Sequence, residues 1–151
     1  IFPATQVASA GANTLDDYEE GTWTPVLTFA TPGDLSVTHN DQTGRYLKIG
    51  RDVHLKFQLG TSAFTHTTAS GACRITGLPF AVSASINSHG AISFQGITKT
   101  SYTDFVFIAI AGQSYLEIYA GGSGVERSGV TAADMPTGGT PLIYGTGPYE
   151  V

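Results

Sequence analysis

The sequence predicts an all-β domain, an antiparallel β-sandwich of about eight to ten short strands such as a jelly roll. Composition is the first reason, since the 151 residues include 19 Gly, eight Phe and seven Tyr but a single Met, a balance that favours strands over helices. Alternation is the second reason, because several runs place apolar and polar side chains in turn, with the period of a half-buried strand. No repeat of fixed length recurs, so a β-helix or a propeller is not expected.

The first strand is predicted where an acidic stretch ends. Four carboxylates come first, and the single Trp of the chain then opens an alternating run to Phe29. Pro25 cannot donate a hydrogen bond within this run, so the strand is expected at a sheet edge or beside a bend. Residues 1–14 lack the apolar area that would order them. We therefore predict an extended arm over residues 1–20, leading from an upstream shaft, and a β-sandwich domain over residues 21–151. The chain begins with Ile rather than Met, so we expect it to be the C-terminal part of a longer protein.

The middle of the chain predicts a β-hairpin. Residues 46–50 and 53–59 flank a Gly-Arg-Asp turn, and the second run alternates more regularly than any other. Its apolar members are expected to face the core and its polar members to face outward. Composition also predicts turns over residues 31–34 and 40–44.

The second half of the chain predicts shorter strands. Residues 105–110 are apolar on both parities, so both faces of that strand should be covered, one of them by a partner subunit. A single turn of helix is expected over residues 132–136. Strands are predicted at 91–97, 115–119, 142–144 and 149–151, and residues 74–80 are expected to end a short strand in a Pro-containing turn. A loop or weak edge strand is expected at 62–72 and a flexible loop at 121–129.

Charge limits the classes of partner. A net charge of −5 argues against a nucleic-acid binder, which would carry a basic stripe. Only 13% of residues are charged, against about 25% in a typical domain, so part of the surface is expected to be hidden in an oligomer. Four of the seven basic residues lie within residues 45–56. They form either two solvated strands or a basic patch that meets an acidic arm or an anionic ligand. No apolar run is long enough to predict a membrane span.

No catalytic residue, metal ligand or cofactor is predicted. The four carboxylates follow one another along an arm, whereas a general acid and base would face each other across a cleft. The four His residues form no closely spaced ligand pair, although three copies of His54 on a threefold axis would be an alternative ion or anion site. Cys73 is the single cysteine, so an internal disulfide is excluded and a small buried side chain is expected.

Three runs carry a resemblance to a known family. Residues 15–27 (LDDYEEGTWTPVL) resemble the opening of a C-terminal domain found on tail fibres, tail needles, spikes and appendages of tailed bacteriophages. Residues 44–50 (GRYLKIG) and 75–80 (ITGLPF) are similar to later signatures of that family. Beyond Ile97 the resemblance is limited to a pattern of strands rich in Gly and Tyr.

This resemblance implies a homotrimeric knob, similar to the jelly rolls of tumour necrosis factor, whose arm joins an upstream trimeric shaft. It implies a non-enzymatic tip of a tail needle or tail fibre, located on the virion and acting in host-surface contact, fibre trimerisation and genome delivery. The family offers no catalytic residues to carry over. The predicted contacts between subunits are Trp23, Tyr46, Phe105, Phe107 and Ile108.

Two other functions remain open. The first is a lectin-like domain that binds carbohydrate, and the second, less favoured, is a depolymerase or esterase. The expected partner is a glycan or protein of the host cell surface. The predicted ligand-binding residues combine the basic patch with tyrosines expected to be exposed: Arg45, Lys48, His54, Lys56, Tyr115 and Tyr119.

Overall fold

The computed structural model describes residues 18–151, so most of the predicted arm lies outside the described residues. This part of the chain contains ten strands and one short 3-10 helix: β1 (Tyr18–Trp23), β2 (Val26–Thr31), β3 (Ser36–Ile49), β4 (Asp52–Thr65), β5 (Ser70–Thr76), β6 (Ser88–Gln95), β7 (Asp104–Ala109), β8 (Tyr115–Gly122), β9 (Val125–Gly129), the helix (Ala132–Asp134) and β10 (Leu142–Glu150). Every pair of neighbouring strands is antiparallel. The predicted all-β, antiparallel, sandwich-like class is confirmed.

The strands form one sheet that is rolled on itself. Its order is β1-β3-β4-β10-β6-β7-β8-β5-β2, with β9 paired to β8. β1 and β2 stand at opposite ends of this order, yet only Thr24 and Pro25 separate them in sequence. Three Cα–Cα steps span at most about 11 Å, so the two ends of the sheet must meet. The Gln42 side chain of β3 donates a hydrogen bond to the Pro25 carbonyl at 2.9 Å and holds this junction, which confirms the bend predicted at Pro25.

The hydrophobic core fills the inside of the roll. The Phe57 ring packs edge-on against Trp23, with centroids 5.7 Å apart, and in a tilted arrangement against Phe107, with centroids 6.0 Å apart. β10 passes directly over the Phe57 ring, because a Cβ atom on Gly145 would lie 2.2 Å from Phe57 Cζ. Other fully or nearly fully buried side chains of this core are Leu27, Phe29, Val53, Leu55, Leu59, Phe64, Cys73, Ile75, Leu116, Ile118, Ile143 and Tyr149.

The predicted central hairpin is confirmed. β3 ends at Ile49 and β4 begins at Asp52, so Gly50 and Arg51 form the turn, with Gly50 in the left-handed region at φ 59°. The apolar side chains of β4 alternate inward as expected, and its polar side chains face outward. The single turn of helix expected over residues 132–136 is also present.

Two expectations about loops are wrong, and a third, a loop or weak edge strand at residues 62–72, is met only in part. Residues 40–44 do not turn but continue β3, whose register with β4 shifts on both sides of His39. Part of the expected loop or edge strand at residues 62–72 belongs to the long β4, and residues 121–129 contain β9. These segments are rich in Thr, Ser and Gly, which favour turns in isolation. Backbone pairing with a neighbouring strand keeps them extended, because ladder hydrogen bonds do not depend on side-chain polarity.

The predicted subunit contacts lie mainly inside a single chain, which corrects the expectation that a partner must cover them. Trp23, Phe105 and Phe107 face the core and are at most 7% exposed, so they have no surface left for a second copy. Ile108 faces the opposite side of β7 and is also buried, at 5%. One parity of β7 fills the core, whereas Val106 and Ile108 on the other parity line a hollow together with His89 and Arg127.

Tyr46, the fifth predicted contact residue, is half-buried near the β1 edge. Its ring packs edge-on against Phe80, with centroids 5.4 Å apart. Its hydroxyl donates a hydrogen bond to the Glu19 carboxylate, and this bond raises the pKa of Tyr46. The last three residues of the predicted arm, 18–20, therefore belong to the sheet. No helix within residues 18–151 is long and apolar enough to cross a membrane.

Candidate ligand-binding groove

The registers of β3, β4 and β10 gather polar side chains on the outer face of the sheet. Arg45 lies directly opposite Lys56, and Thr146 lies opposite Lys56 on the other side. Two residues along β4, Gln58 lies opposite Tyr144. These residues alternate along their strands with core residues, so their side chains point away from the core.

A groove of about 650 Å³ opens between these side chains and β6. The groove forms where long side chains of β3, β4 and β10 lie beside small side chains of β6. Arg45, Lys56 and Tyr144 stand along one part of the lining, while β6 contributes only Ala91 and Ser93 on its outer face. The groove is therefore bounded by two cations and an aromatic ring and opens to solvent above short side chains.

Three of the predicted ligand residues meet at or beside this groove. Arg45 and Lys56 line it, and His54 lies next to it on β4, with Nε2 3.2 Å from Thr146 Oγ1. Lys48 does not join them, which corrects the prediction for this residue. It is only 8% exposed and lies 5.8 Å from the centre of the Phe80 ring, because it shares the inward parity of β3.

The two predicted tyrosines lie elsewhere. Tyr115 and Tyr119 are on β8, four strands from β4 in the sheet order, which is roughly 19 Å along the sheet at the usual strand spacing. Each ring already carries a cation on one face. Arg74 Cζ lies 4.1 Å from the Tyr115 centroid, and Arg127 Cζ lies 4.7 Å from the Tyr119 centroid.

Charged groups around these tyrosines satisfy one another. Arg74 Nε donates to Glu117 Oε1 at 3.0 Å, and the Tyr119 hydroxyl donates to Glu117 Oε2 at 3.3 Å. Burial and the Glu117 carboxylate raise the pKa of Tyr119. The charged groups of this cluster on β5 and β8 bind one another, so fewer of them are available to a ligand than in the groove.

Comparisons with known proteins identify a similar fold but no matching family. No known protein family profile matches the chain, and no curated protein matches it. The crystal structure of the Dettilon tailspike protein (gp208) is similar in fold, with a TM-score of 0.66 and 18% sequence identity over 88% of this chain. The likeness shows the fold alone. The chain spans about a quarter of that protein's length, since 24% of the tailspike chain is covered.

Reactive groups are sparse in the described part of the chain. Residues 18–151 contain no group of three or more His, Cys, Asp or Glu side chains that could hold a metal ion. Cys73 is completely buried, as predicted, and burial raises the pKa of its thiol. The protonated thiol is a poor nucleophile.

Sequence reasoning missed Tyr144, Gln58 and Ser93. Gln58 was expected to face outward, but nothing local connects it with a ligand. Tyr144 is the most exposed tyrosine of residues 18–151, with 40% of its surface accessible to solvent. Its position beside β4 and β6 depends on strand pairings between distant parts of the chain. The alternation of β10 could have indicated that Tyr144 faces outward, but not which side chains surround it.

Proposed function

We propose that this chain is a host-contact domain of a bacteriophage tail appendage, a non-enzymatic trimeric tip located on the virion. The observation that carries the proposal is the fold likeness to the Dettilon tailspike protein across 88% of this chain. The resemblance of residues 15–27 to the opening of a phage-appendage domain also supports it, because it rests on the sequence and not on the fold.

The proposed mechanism is multivalent binding. Three copies held by an upstream shaft would present three weak sites at fixed separation, and a surface that engages them together is held more tightly than by one site alone. Low charge content, at 13% of residues, supports assembly, since copies with few charges lose little solvation on contact. Whether the tip is part of a tail needle or of a tail fibre would depend on the shaft that carries it.

A second candidate function is carbohydrate binding at the host surface. The groove on β3, β4, β10 and β6 favours it, because sites for small ligands combine an apolar surface with a few convergent polar groups. A depolymerase is the less favoured third candidate, because no paired carboxylates face each other across this groove in the part of the chain that the structure describes.

The test is binding to bacterial cells. The fluorescently labelled 151-residue chain is incubated with a panel of bacterial strains, and bound fluorescence is measured by flow cytometry against a labelled protein of similar charge. We expect saturable labelling of some strains and no release of sugar from their surface polysaccharides. Labelling of no strain would contradict host contact, and release of oligosaccharides would establish the depolymerase instead.

A further inference from the structure

We propose that the groove binds an acidic sugar, with the sugar ring against Tyr144 and its carboxylate or phosphate group between Arg45 and Lys56. This inference rests on the proposed function, since it names the chemical class of host-surface ligand that the tip would contact. Three features of the groove carry it: an uncompensated pair of cations, an uncovered aromatic ring, and hydrogen-bonding groups between them.

The pair of cations is the first feature. Arg45 and Lys56 are direct cross-strand neighbours, and like charges in that arrangement destabilise a sheet. No carboxylate among residues 18–151 lies within ion-pair distance of either one, whereas three other cations in this part of the chain are paired: Arg51 with Glu150, Arg74 with Glu117, and Lys99 with Asp134. An anion from outside the chain would relieve the repulsion. Arginine binds a carboxylate or phosphate in a bidentate manner, and lysine adds a point charge beside it.

The aromatic ring is the second feature. Tyr144 is 40% exposed, and no cation or aromatic ring within residues 18–151 stacks on it. Tyr115 and Tyr119 differ in this respect, because guanidinium groups cover one face of each. The face of a tyrosine ring is negative and apolar, so it suits the C–H groups on one side of a sugar ring. Tyr144 is the diagonal neighbour of Lys56, about 7–8 Å away, so one sugar unit can contact both.

Hydrogen-bonding groups are the third feature. Gln58 lies directly opposite Tyr144 on one side, and Ser93 lies opposite it on the other. Thr43 completes the lining beside Gln58. An amide and two hydroxyls both donate and accept, as the hydroxyl groups of a sugar do. The volume of about 650 Å³ lies within the usual range for small-ligand sites, roughly 300–1,000 Å³, and suits a short oligosaccharide.

The experiment uses an array of bacterial surface glycans in which each acidic glycan is paired with its carboxyl-reduced or dephosphorylated counterpart. We expect the 151-residue chain to bind acidic members in preference to their neutral counterparts, and the array to show whether carboxylate or phosphate is the better group. The affinity for the best acidic member is then measured by calorimetry for Arg45→Gln, Lys56→Gln and Tyr144→Leu. Each variant should bind roughly tenfold more weakly, the usual effect of removing one contact to a charged or stacked group.

Matched controls separate a site from a general charge effect. Arg51→Gln removes the same charge at the hairpin turn, and Tyr115→Leu removes a tyrosine on β8, so both should keep the affinity of the unchanged chain. An equal loss in Arg51→Gln would overturn the proposal, as would equal binding of acidic and neutral glycans. A change of solution mass in the groove variants without a change in glycan binding would assign the groove to a contact between copies and also overturn it.

The cell-binding experiment distinguishes failure of this inference from failure of the proposed function. If the chain labels bacteria and labelling is unchanged in Arg45→Gln and Lys56→Gln, the groove is not the contact site, although host contact stands. If the chain labels no strain, host contact itself fails. Labelling that falls in the groove variants and persists in Arg51→Gln supports both.

Discussion

At the scale of single residues, the stability of the domain depends on the side chains that each strand directs into the core. Phe107 has no exposed surface, and its ring packs against Phe57 from the middle of the sheet. Its environment comes entirely from its own chain. Stability lost at this position is therefore a property of the single domain and not of contacts between copies.

Phe107→Ala should lower the free energy of unfolding by about 3–5 kcal/mol, because truncating a buried ring removes its burial and leaves a cavity. The measurement is urea denaturation followed by tryptophan fluorescence at fixed protein concentration. Ile86→Ala is the control, since Ile86 is 50% exposed and its truncation should change stability by less than about 0.5 kcal/mol. A Phe107→Ala variant that dissociates without losing stability would place this ring at a subunit contact after all.

The Asp34 carboxylate connects two loops of the domain through hydrogen bonds. Its carboxylate accepts hydrogen bonds from the backbone N–H groups of Thr67 and Thr68, at 2.8 and 2.7 Å, and from both threonine hydroxyls, at 2.6 and 2.9 Å. These bonds, led by the Thr67 hydroxyl, hold the pKa of Asp34 well below its usual range. The ionised form is therefore the one that the fold stabilises.

Asp34→Asn should lower the melting temperature at pH 7, and the difference from the unchanged chain should narrow as the pH falls. A carboxylate with a lowered pKa in the folded state stabilises the fold fully above its unfolded pKa, near 4. That contribution is lost as the pH falls toward the folded pKa. Circular dichroism melting curves between pH 7 and pH 2 measure this. A difference that stays constant over the whole range would show that the charge of Asp34 does not matter.

At the scale of elements, β10 is the strand that completes the roll. It pairs with β4 on one side and β6 on the other, and so connects the N-terminal hairpin to the later strands. Its inward positions include Gly145, which leaves room for the Phe57 ring beneath it. A side chain at that position would separate β10 from the core.

Gly145→Ala should destabilise the domain by about 1–3 kcal/mol, the usual effect of forcing extra volume into a packed core. Gly121→Ala on β8 is a matched control, because an added Cβ there would meet no atom within 4 Å. The control should be neutral or slightly stabilising. Thermal denaturation of both variants measures the contrast, and equal stability of the two would contradict the close approach of β10 to Phe57.

Local alternation was enough to predict β4 and its hairpin, because the period of two is strong there and the turn contains Gly50. It was not enough for β3. Leu47 and Ile49 are apolar and face outward, while Lys48 faces inward. The parity of β3 is set by contacts of its inward residues with distant parts of the chain, such as Tyr46 with Phe80. A single strand's pattern does not contain that information.

The groove was predictable only in part. Arg45 and Lys56 were identified from the clustering of basic residues, and the hairpin turn fixed their pairing. The partner side chains come from β6 and β10, which follow β4 by long stretches of sequence. Such pairings depend on how the whole sheet closes, so no local signal could place Tyr144 beside Gln58.

At the scale of the whole molecule, contacts between copies must use the outer surface, because the inner parity is filled by the chain's own core. The large apolar side chains that remain exposed within residues 18–151 include a neighbouring pair on β3, and the full set is Val26, Leu47, Ile49, Ile86, Phe94, Val125 and Tyr144. Tyr144 belongs to the groove, so a trimer whose contacts leave Tyr144 uncovered would present the groove of each copy to a bacterial surface, in keeping with multivalent binding.

We propose that three copies of this chain form one host-contact tip. Sedimentation equilibrium of the purified 151-residue chain at micromolar concentration tests it most directly, because a closed oligomer has a mass that is a fixed multiple of the chain mass. We expect a mass three times that of a single chain, independent of concentration across the range. A mass equal to one chain throughout that range would contradict it.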